Sequence, residues 1–400
     1  MSKVIIDEHR ILQVNSKPFF PIGARHFPLG ASLADLRLAG FNAFRWTPFG
    51  VDRAAQLAPL SDDLAGLYFY PYVFTNGDFS CDAEERREAL ANLILRIRNH
   101  PALLCYEQRN EPAYTHRSHA IPQSPARGLI AGSRVIRELD PDHPIRVGHM
   151  ICNLVATLQQ YNDAVDIVGC NPYVVSPPGL RAHVGSRADG KPTDSPNQTL
   201  SAVGDLTSKM MQVAQGRMVW MQLQGSANEN WYNEDYTPES RGHGAYEFQK
   251  LYPSYWQLRF MAFHAVVRGA TALEWMLHGL EVGSNAWRDV CRLIGELNRI
   301  HDVLCSPPWP EKLAVTYNEL GFSDWTGVET LVRIHEGKPW IIAVNSQFDP
   351  MDATLSHVPT DLGTTVDVAF EHRRIAVSNG SIRDWFQPYD VHIYAPTGEI

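Results

Sequence analysis

Between about residue 20 and residue 305, short apolar runs alternate with longer segments whose apolar positions recur at helical spacing. This is the pattern of repeated βα units around a parallel sheet. Eight runs read as strands: Phe20–Ala24, Phe41–Trp46, Gly66–Phe74, Leu103–Arg109, Ile145–His149, Asp166–Asn171, Met218–Gln224 and Ala270–Met276. Eight closes a barrel, so the pattern predicts an α/β chain of (β/α)8 TIM barrel type over 20–305. Asp82-Ala83-Glu84-Glu85 reads as a capping box ahead of the stripe Leu90, Leu93, Ile94 and Ile97. Gly269 reads as the end of a helix that runs through Arg259 to Arg268. The competing architecture, an open doubly wound sheet, carries a Gly-rich phosphate turn after its first strand, and Gly23-Ala24-Arg25-His26-Phe27-Pro28 is not one.

After Pro307-Pro308-Trp309-Pro310 the period changes from helical to alternating. Leu331–His335, Trp340–Asn345, Thr365–Phe370 and Val391–Tyr394 read as short strands separated by Gly, Asn and Asp turns, which predicts a C-terminal all-β sandwich over 310–400. At the other end, Val4–Phe19 reads as two strands about a turn at Asn15-Ser16-Lys17, an N-terminal β-hairpin over 1–19 that packs on the bottom of the barrel.

Composition narrows the function classes. With 35 basic against 44 acidic residues the formal charge is −9, and there is no run of five like charges, so a nucleic-acid surface is not expected. No apolar stretch reaches membrane-spanning length, and the first twenty residues lack the apolar core of a signal peptide, so the sequence reads as soluble and leans cytoplasmic. The 6 cysteines are widely spaced without a Cys-x-x-Cys pair, and His26 and His149 with Asp166 give no metal signature of the His-x-x-x-His sort, so neither a metal nor another cofactor is expected. Ten Trp, 15 Tyr and 16 Phe offer many flat apolar faces, a weak pointer to sugar rings, whose C–H faces are apolar.

In a TIM barrel the reacting groups stand at the C-terminal ends of the strands. Asn110-Glu111-Pro112 follows the apolar run Leu103-Leu104-Cys105-Tyr106, which puts Glu111 at the mouth of the fourth strand. This segment resembles the glycoside hydrolases of clan A, retaining barrel enzymes whose fourth strand ends in Asn-Glu, often followed by Pro. The resemblance extends to Leu12 through Gly23, to Ala39-Gly40-Phe41-Asn42-Ala43-Phe44-Arg45, to His100-Pro101-Ala102-Leu103-Leu104, and to Arg259-Phe260-Met261 before Gly269-Ala270. It implies a glycosidase acting on an oligosaccharide or glycoside, with Glu111 as general acid/base and Asn110 on the sugar 2-hydroxyl. It further implies Arg45 beside the nucleophile, Tyr173 of Asn171-Pro172-Tyr173 hydrogen-bonded to it, and Trp275 as a sugar platform.

A retaining glycosidase needs one protonated and one ionised carboxyl about 5–5.5 Å apart. The second is expected at the end of the seventh strand, which reads Met218-Val219-Trp220-Met221-Gln222-Leu223-Gln224-Gly225 and contains no glutamate. By the resemblance to β-galactosidase-like members of the clan, Gln222 occupies the nucleophile position, either as a Glu→Gln change that keeps the shape and removes the charge or as a natural variant. Two alternatives follow: a carbohydrate-binding barrel without hydrolysis, and an inverting glycosidase that pairs Glu111 with Glu274 on the eighth strand. His26 and His149 follow the first and fifth strands and are as readily structural as substrate-contacting. Trp231, in the polar and aromatic loop 228–236, is a candidate subsite wall, and with Trp46, Tyr173 and Trp275 it would rim the cleft. Asp78 and Asp82 read as capping residues, and Gly225-Ser226-Ala227 is not a serine-hydrolase elbow.

Overall fold

The computed structural model describes residues 2–48, 64–114, 122–175, 197–227, 250–318 and 327–399. Eight parallel strands form one sheet: β4 (Ile22–Arg25), β5 (Ala43–Trp46), β6 (Tyr68–Pro71), β7 (Tyr106–Glu107), β8 (Ile145–His149), β9 (Ile167–Cys170), β10 (Met218–Gln224) and β11 (Ala272–Met276). β11 pairs back to β4, and bridges from Phe69 to Leu103 and from Tyr72 to Glu107 join β6 to β7, so the sheet closes into a barrel. The helices between the strands are α1 (Leu33–Ala39), α2 (Ala83–Ile97), α3 (Ala126–Leu139), α4 (Val155–Gln159), α5 (Ala202–Ala214) and α6 (Tyr255–Val267), followed by α7 (Asn285–Arg299) and α8 (His301–Leu304). Ser32 with Asp35 and Ser254 with Gln257 close capping boxes at α1 and α6. The box expected at α2 does not form: Asp82 adopts a left-handed backbone and its carboxylate lies 3.6 Å from Arg86 instead.

Alternation along the strands separates two apolar cores. Outward residues such as Ile22, Phe44, Phe69, Val147, Val168, Met221, Leu223 and Trp275 pack under the helices. Ala43, Tyr70, Cys105, Ile167, Met218, Trp220 and Ala272 form a second cluster with Val4, Leu12 and Val14. The latter three come from the N-terminal sheet of β1 (Val4–Ile6), β2 (Leu12–Val14) and β3 (Lys17–Phe19), which therefore fills the lower barrel. The turn at Asn15-Ser16 forms as the pattern predicts, but the sheet has three strands and not two, because a second turn at residues 7–11, with Arg10 at φ 63° and the Asp7 N–H on the Ile11 carbonyl, folds β1 back on β2.

The C-terminal domain is a sandwich of two antiparallel sheets. Three strands, β12 (Ala314–Tyr317), β15 (Met351–Ser356) and β18 (Ser381–Phe386), face five, β13 (Val328–His335), β14 (Lys338–Asn345), β19 (Val391–Pro396), β16 (Thr365–Val368) and β17 (Arg373–Ala376). Leu355, Ile382 and Phe386 from the first sheet meet Ile341, Val366 and Tyr394 from the second. The Arg259 guanidinium ties α6 to this domain through the Val391 carbonyl at 2.5 Å. No helix among the described residues is long and apolar enough to cross a membrane.

Candidate active site

The middle of a TIM barrel is ordinarily filled by branched apolar side chains. Here it holds Arg25, Arg45, Arg146, Glu107 and Glu274, all buried. Glu107 accepts from Arg25 Nη1 at 2.6 Å and from Arg45 Nε at 2.8 Å. Glu274 accepts from Arg146 Nη1 and Nη2 at 2.9 and 2.7 Å and from the Tyr70 hydroxyl at 2.5 Å. Gly23 makes room for this arrangement, since a Cβ there would stand 3.0 Å from the Glu274 Cβ and 3.2 Å from the Tyr70 hydroxyl.

Burial alone would push both carboxyls up, but the guanidiniums outweigh it: Arg25, Arg45 and Arg146 hold Glu107 low, and Arg146 and Arg25 hold Glu274 low. Both are ionised at neutral pH. Burial, followed by the field of Glu274, pushes the Tyr70 hydroxyl up, so Tyr70 stays a neutral donor. Three guanidiniums thus face two carboxylates in the barrel centre.

Above this layer, Glu111 follows β7 at φ 52°, a left-handed backbone that is rare for a non-glycine residue. Its N–H is anchored on the Gly148 carbonyl of β8 at 2.7 Å, and its carboxylate accepts from Asn171 Nδ2 at 2.5 Å. An outlier of this kind costs on the order of 1–3 kcal/mol and persists where surrounding bonds over-determine it. Asn110 lies over Gly148, where a Cβ would come within 2.8 Å of its Oδ1.

Gln222, on β10 opposite Glu274 in register, donates from Nε2 to the Tyr173 hydroxyl, and its buried Oε1 has no hydrogen-bond partner among the described residues. Burial pushes the Tyr173 phenol up, with Glu111 and Glu274 adding to the rise against Arg25, so its proton is available to donate. Gln224 is structural: its amide clamps Val175 through N–H to Oε1 at 2.9 Å and Nε2 to carbonyl at 2.7 Å, which fixes the chain just after Tyr173.

The structure brings Glu111, Asn171, Tyr173 and Gln222 together, with Asn110 beside them. It places other expected residues elsewhere. Arg45 pairs with Glu107 and stacks on the Tyr72 ring at 3.7 Å, not with Gln222. Trp275 is fully buried in the outer core, its ring edge-on to Phe41, with no face open to a sugar. Trp46 is likewise buried, against Phe69. Glu274 is fully buried with both oxygens engaged, and so is a framework carboxylate. His149 sits on the outer face of β8 against Tyr161, where burial pushes its imidazole down to about 3. His26 stands at the end of β4 at φ 54°, edge-on to His278 with ring centroids 5.8 Å apart. Burial, then Arg45 and Arg25, keep it neutral. Trp231 and loop 228–236 lie outside the described residues. Among those described, no group of His, Cys, Asp and Glu could hold a metal ion.

The sequence reading passed over Glu107, Arg25, Arg146 and Tyr70. A signal was present: Cys105 faces the lower barrel core, so strand alternation carries Glu107 inward as well. Arg25, Arg45 and Arg146 each stand in an apolar strand, and a buried guanidinium requires a carboxylate.

No protein-family model matches the chain, and no curated protein matches it. Solved structures do. A glycoside hydrolase family 5 structure from Bacteroides vulgatus aligns over 100% of this chain and 95% of its own, at 12% identity and a TM-score of 0.58. A family 42 β-galactosidase from G. stearothermophilus aligns over 94% and 98%, at 11% identity and 0.58. A family 30 endoxylanase from Clostridium papyrosolvens aligns over 94% and 96%, at 12% identity and 0.51. The likeness is one of fold: this chain is a (β/α)8 barrel with a C-terminal β domain.

Proposed function

We propose that this barrel is a glycoside hydrolase of clan A type that takes a β-linked glycoside at the mouth formed by Glu111, Asn171, Tyr173 and Gln222. The observation that carries the reading is that one segment, Asn171 to Tyr173, touches both Glu111 and Gln222: Asn171 donates to Glu111 at the end of the fourth barrel strand at 2.5 Å, and the Tyr173 hydroxyl accepts from Gln222 on the seventh. Glu111 is the general acid/base, and position 222 is the nucleophile when it holds glutamate. That chemistry proceeds with retention, because two inversions follow one another: the nucleophile displaces the leaving group from the opposite face, and water then displaces the nucleophile from the face the leaving group vacated.

With glutamine at 222 the first step, formation of the glycosyl-enzyme, has no competent nucleophile. A carboxylate both attacks the anomeric carbon and later leaves it, whereas an amide oxygen is a poor nucleophile. The chain as it stands is therefore expected to hold glycosides and turn them over very slowly. The neutral amide equally supports a second reading, a carbohydrate-binding barrel that does not hydrolyse. An inverting pair of Glu111 with Glu274 is disfavoured: every near lone pair of Glu274 is taken by Arg146, Tyr70 and Arg25, which leaves none to activate a water.

Turnover of aryl β-glycosides tests the first reading against the second. Gln222→Glu should create hydrolysis that the parent lacks. Adding Glu111→Gln should then slow substrates with poor leaving groups by about 10²–10⁴-fold. It should affect activated aryl glycosides less, and azide should rescue the double variant. Unaltered glycoside binding with no turnover in Gln222→Glu would instead support the non-hydrolytic barrel.

A further inference from the structure

Away from the barrel mouth, Trp256 stands on the first turn of α6 with 63% of its surface exposed, and Phe348, which lines the same cavity, is 65% exposed. It separates two cavities. The first, about 470 Å³, has Val174 and Val175 on one side and Phe348, Pro388 and Tyr389 of the C-terminal domain on the other. The second, about 400 Å³, runs along the seam between α6, α7 and the sandwich, past Phe370, Gln387 and Asp390. Trp256, Pro388 and Tyr389 line both, so the two cavities form one track around the indole. Each volume falls in the range of small-molecule sites.

The track starts beside the candidate active site. Tyr173 touches Gln222, the next two residues form the wall of the first cavity, and Gln224 holds Val175 in place. Its lining combines apolar rings with planar polar groups. Tyr255 and Trp256 meet edge-on at 4.9 Å, and the Arg292 guanidinium lies 3.6 Å over the Tyr255 ring. Arg292 lines the seam with no carboxylate within 4 Å among the described residues, Gln387 offers an amide nearby, and the Asp390 carboxylate already accepts from the Gln387 and Val391 N–H groups at 3.1 and 3.0 Å, which leaves it part of its acceptor capacity. The other charged groups there are mostly paired: Glu371 with Arg373 and His392, and Arg259 with Glu296. An apolar peptide would bury these polar groups without partners. A sugar ring lays its C–H face on an indole and turns its hydroxyls to guanidinium, amide and carboxylate.

We propose that this seam is a distal carbohydrate-binding site, with Trp256 as its platform, that holds the outer units of an extended glycan whose inner unit lies at the barrel mouth. The proposal rests on the reading of the mouth as a glycoside site, and its test separates the two. Dissociation constants would be measured by calorimetry for β-1,4-linked gluco-, xylo-, manno- and galacto-oligosaccharides of two and six units, on the parent chain, Trp256→Ala and Trp256→Tyr. For one of the four backbones the hexasaccharide should bind about tenfold more tightly than the disaccharide, in keeping with one aromatic contact. Trp256→Ala should remove that gain and Trp256→Tyr should keep most of it, with disaccharide affinity and melting temperature unchanged in both.

Absence of hexasaccharide binding, or a gain that survives Trp256→Ala, overturns the proposal. So does self-association that Trp256→Ala abolishes while glycans do not bind, since the seam would then be an interface between copies. Hexasaccharide binding that depends on Trp256, alongside a mouth inert in Gln222→Glu, would keep the seam site and reject the hydrolytic reading.

Discussion

Replacing Glu107 with glutamine tests whether the buried ion pairs hold the barrel centre together. Glu107 is wholly inaccessible and serves two guanidiniums, but the two are not equally dependent on it. Arg25 keeps Glu274 at 3.5 Å, whereas Arg45 is left with the Tyr72 ring at 3.7 Å and no other carboxylate within 4 Å among the described residues. Removing one partner of a buried pair strands the other charge, at a cost of about 3–5 kcal/mol. At about 2 °C or somewhat less per kcal/mol for a chain of this size, Glu107→Gln should lower Tm by roughly 5–10 °C at pH 7. Arg45→Met in the same chain should recover part of that loss, because it removes the stranded charge.

The pH dependence follows from the same site. The folded pKa of Glu107 lies below its unfolded value, so its contribution is present above about pH 4.3 and is lost as the pH falls through the lower folded value. Glu107→Gln should flatten the acid limb of the melting curve in that window. Thermal melts by circular dichroism from pH 7 to pH 2.5 provide the readout. A Tm change under about 1 °C, with no recovery in the double variant, would refute the assignment of Glu107 as the counter-charge of Arg45.

Two further substitutions separate framework from site. His149 is buried with neither ring nitrogen hydrogen-bonded among the described residues, and its folded pKa of about 3 lies below the unfolded imidazole's. The unfolded chain therefore binds a proton first, and stability drops by several kcal/mol between about pH 6.5 and pH 3; His149→Phe should remove that loss, as urea unfolding at pH 4 and pH 7 will report. Trp275→Ala should cost about 3–5 kcal/mol of stability by opening a core cavity while leaving glycoside affinity unchanged. A loss of affinity without a loss of stability would restore Trp275 to the sugar site.

Much of the architecture was legible because it is written as periodicity. Ile145–His149 and Met218–Gln224 form as the pattern predicts, since each is a buried parallel strand bounded by clear turns. The fourth strand shrinks to Tyr106–Glu107, since only Tyr106 and Glu107 pair regularly with β8, and the contact with β6 is made through single bridges. In the sandwich, Ala314–Tyr317, Met351–Ser356, Arg373–Ala376 and Ser381–Phe386 were missed; they are half-exposed and carry many polar side chains, which blurs the alternation.

The site was only partly legible, for a different reason. Glu111, Tyr173 and Gln222 were reachable from local motifs at strand ends. The pairing of Arg45 with Glu107, 62 positions along the chain, depends on which strands face one another across the barrel interior. Trp275 was misplaced as a platform because a one-residue step along a strand exchanges the inside of the barrel for the outside, and Glu274 takes the inward position.

The central claim, that position 222 is the nucleophile site of a retaining glycosidase, is tested most directly by following the anomeric proton of the first product by NMR during turnover by Gln222→Glu. The account predicts that the β-anomer forms first and mutarotates afterwards, with the parent chain nearly inert. An α-anomer as first product, or turnover by the parent that survives the substitution unchanged and vanishes in Glu274→Gln, would contradict it.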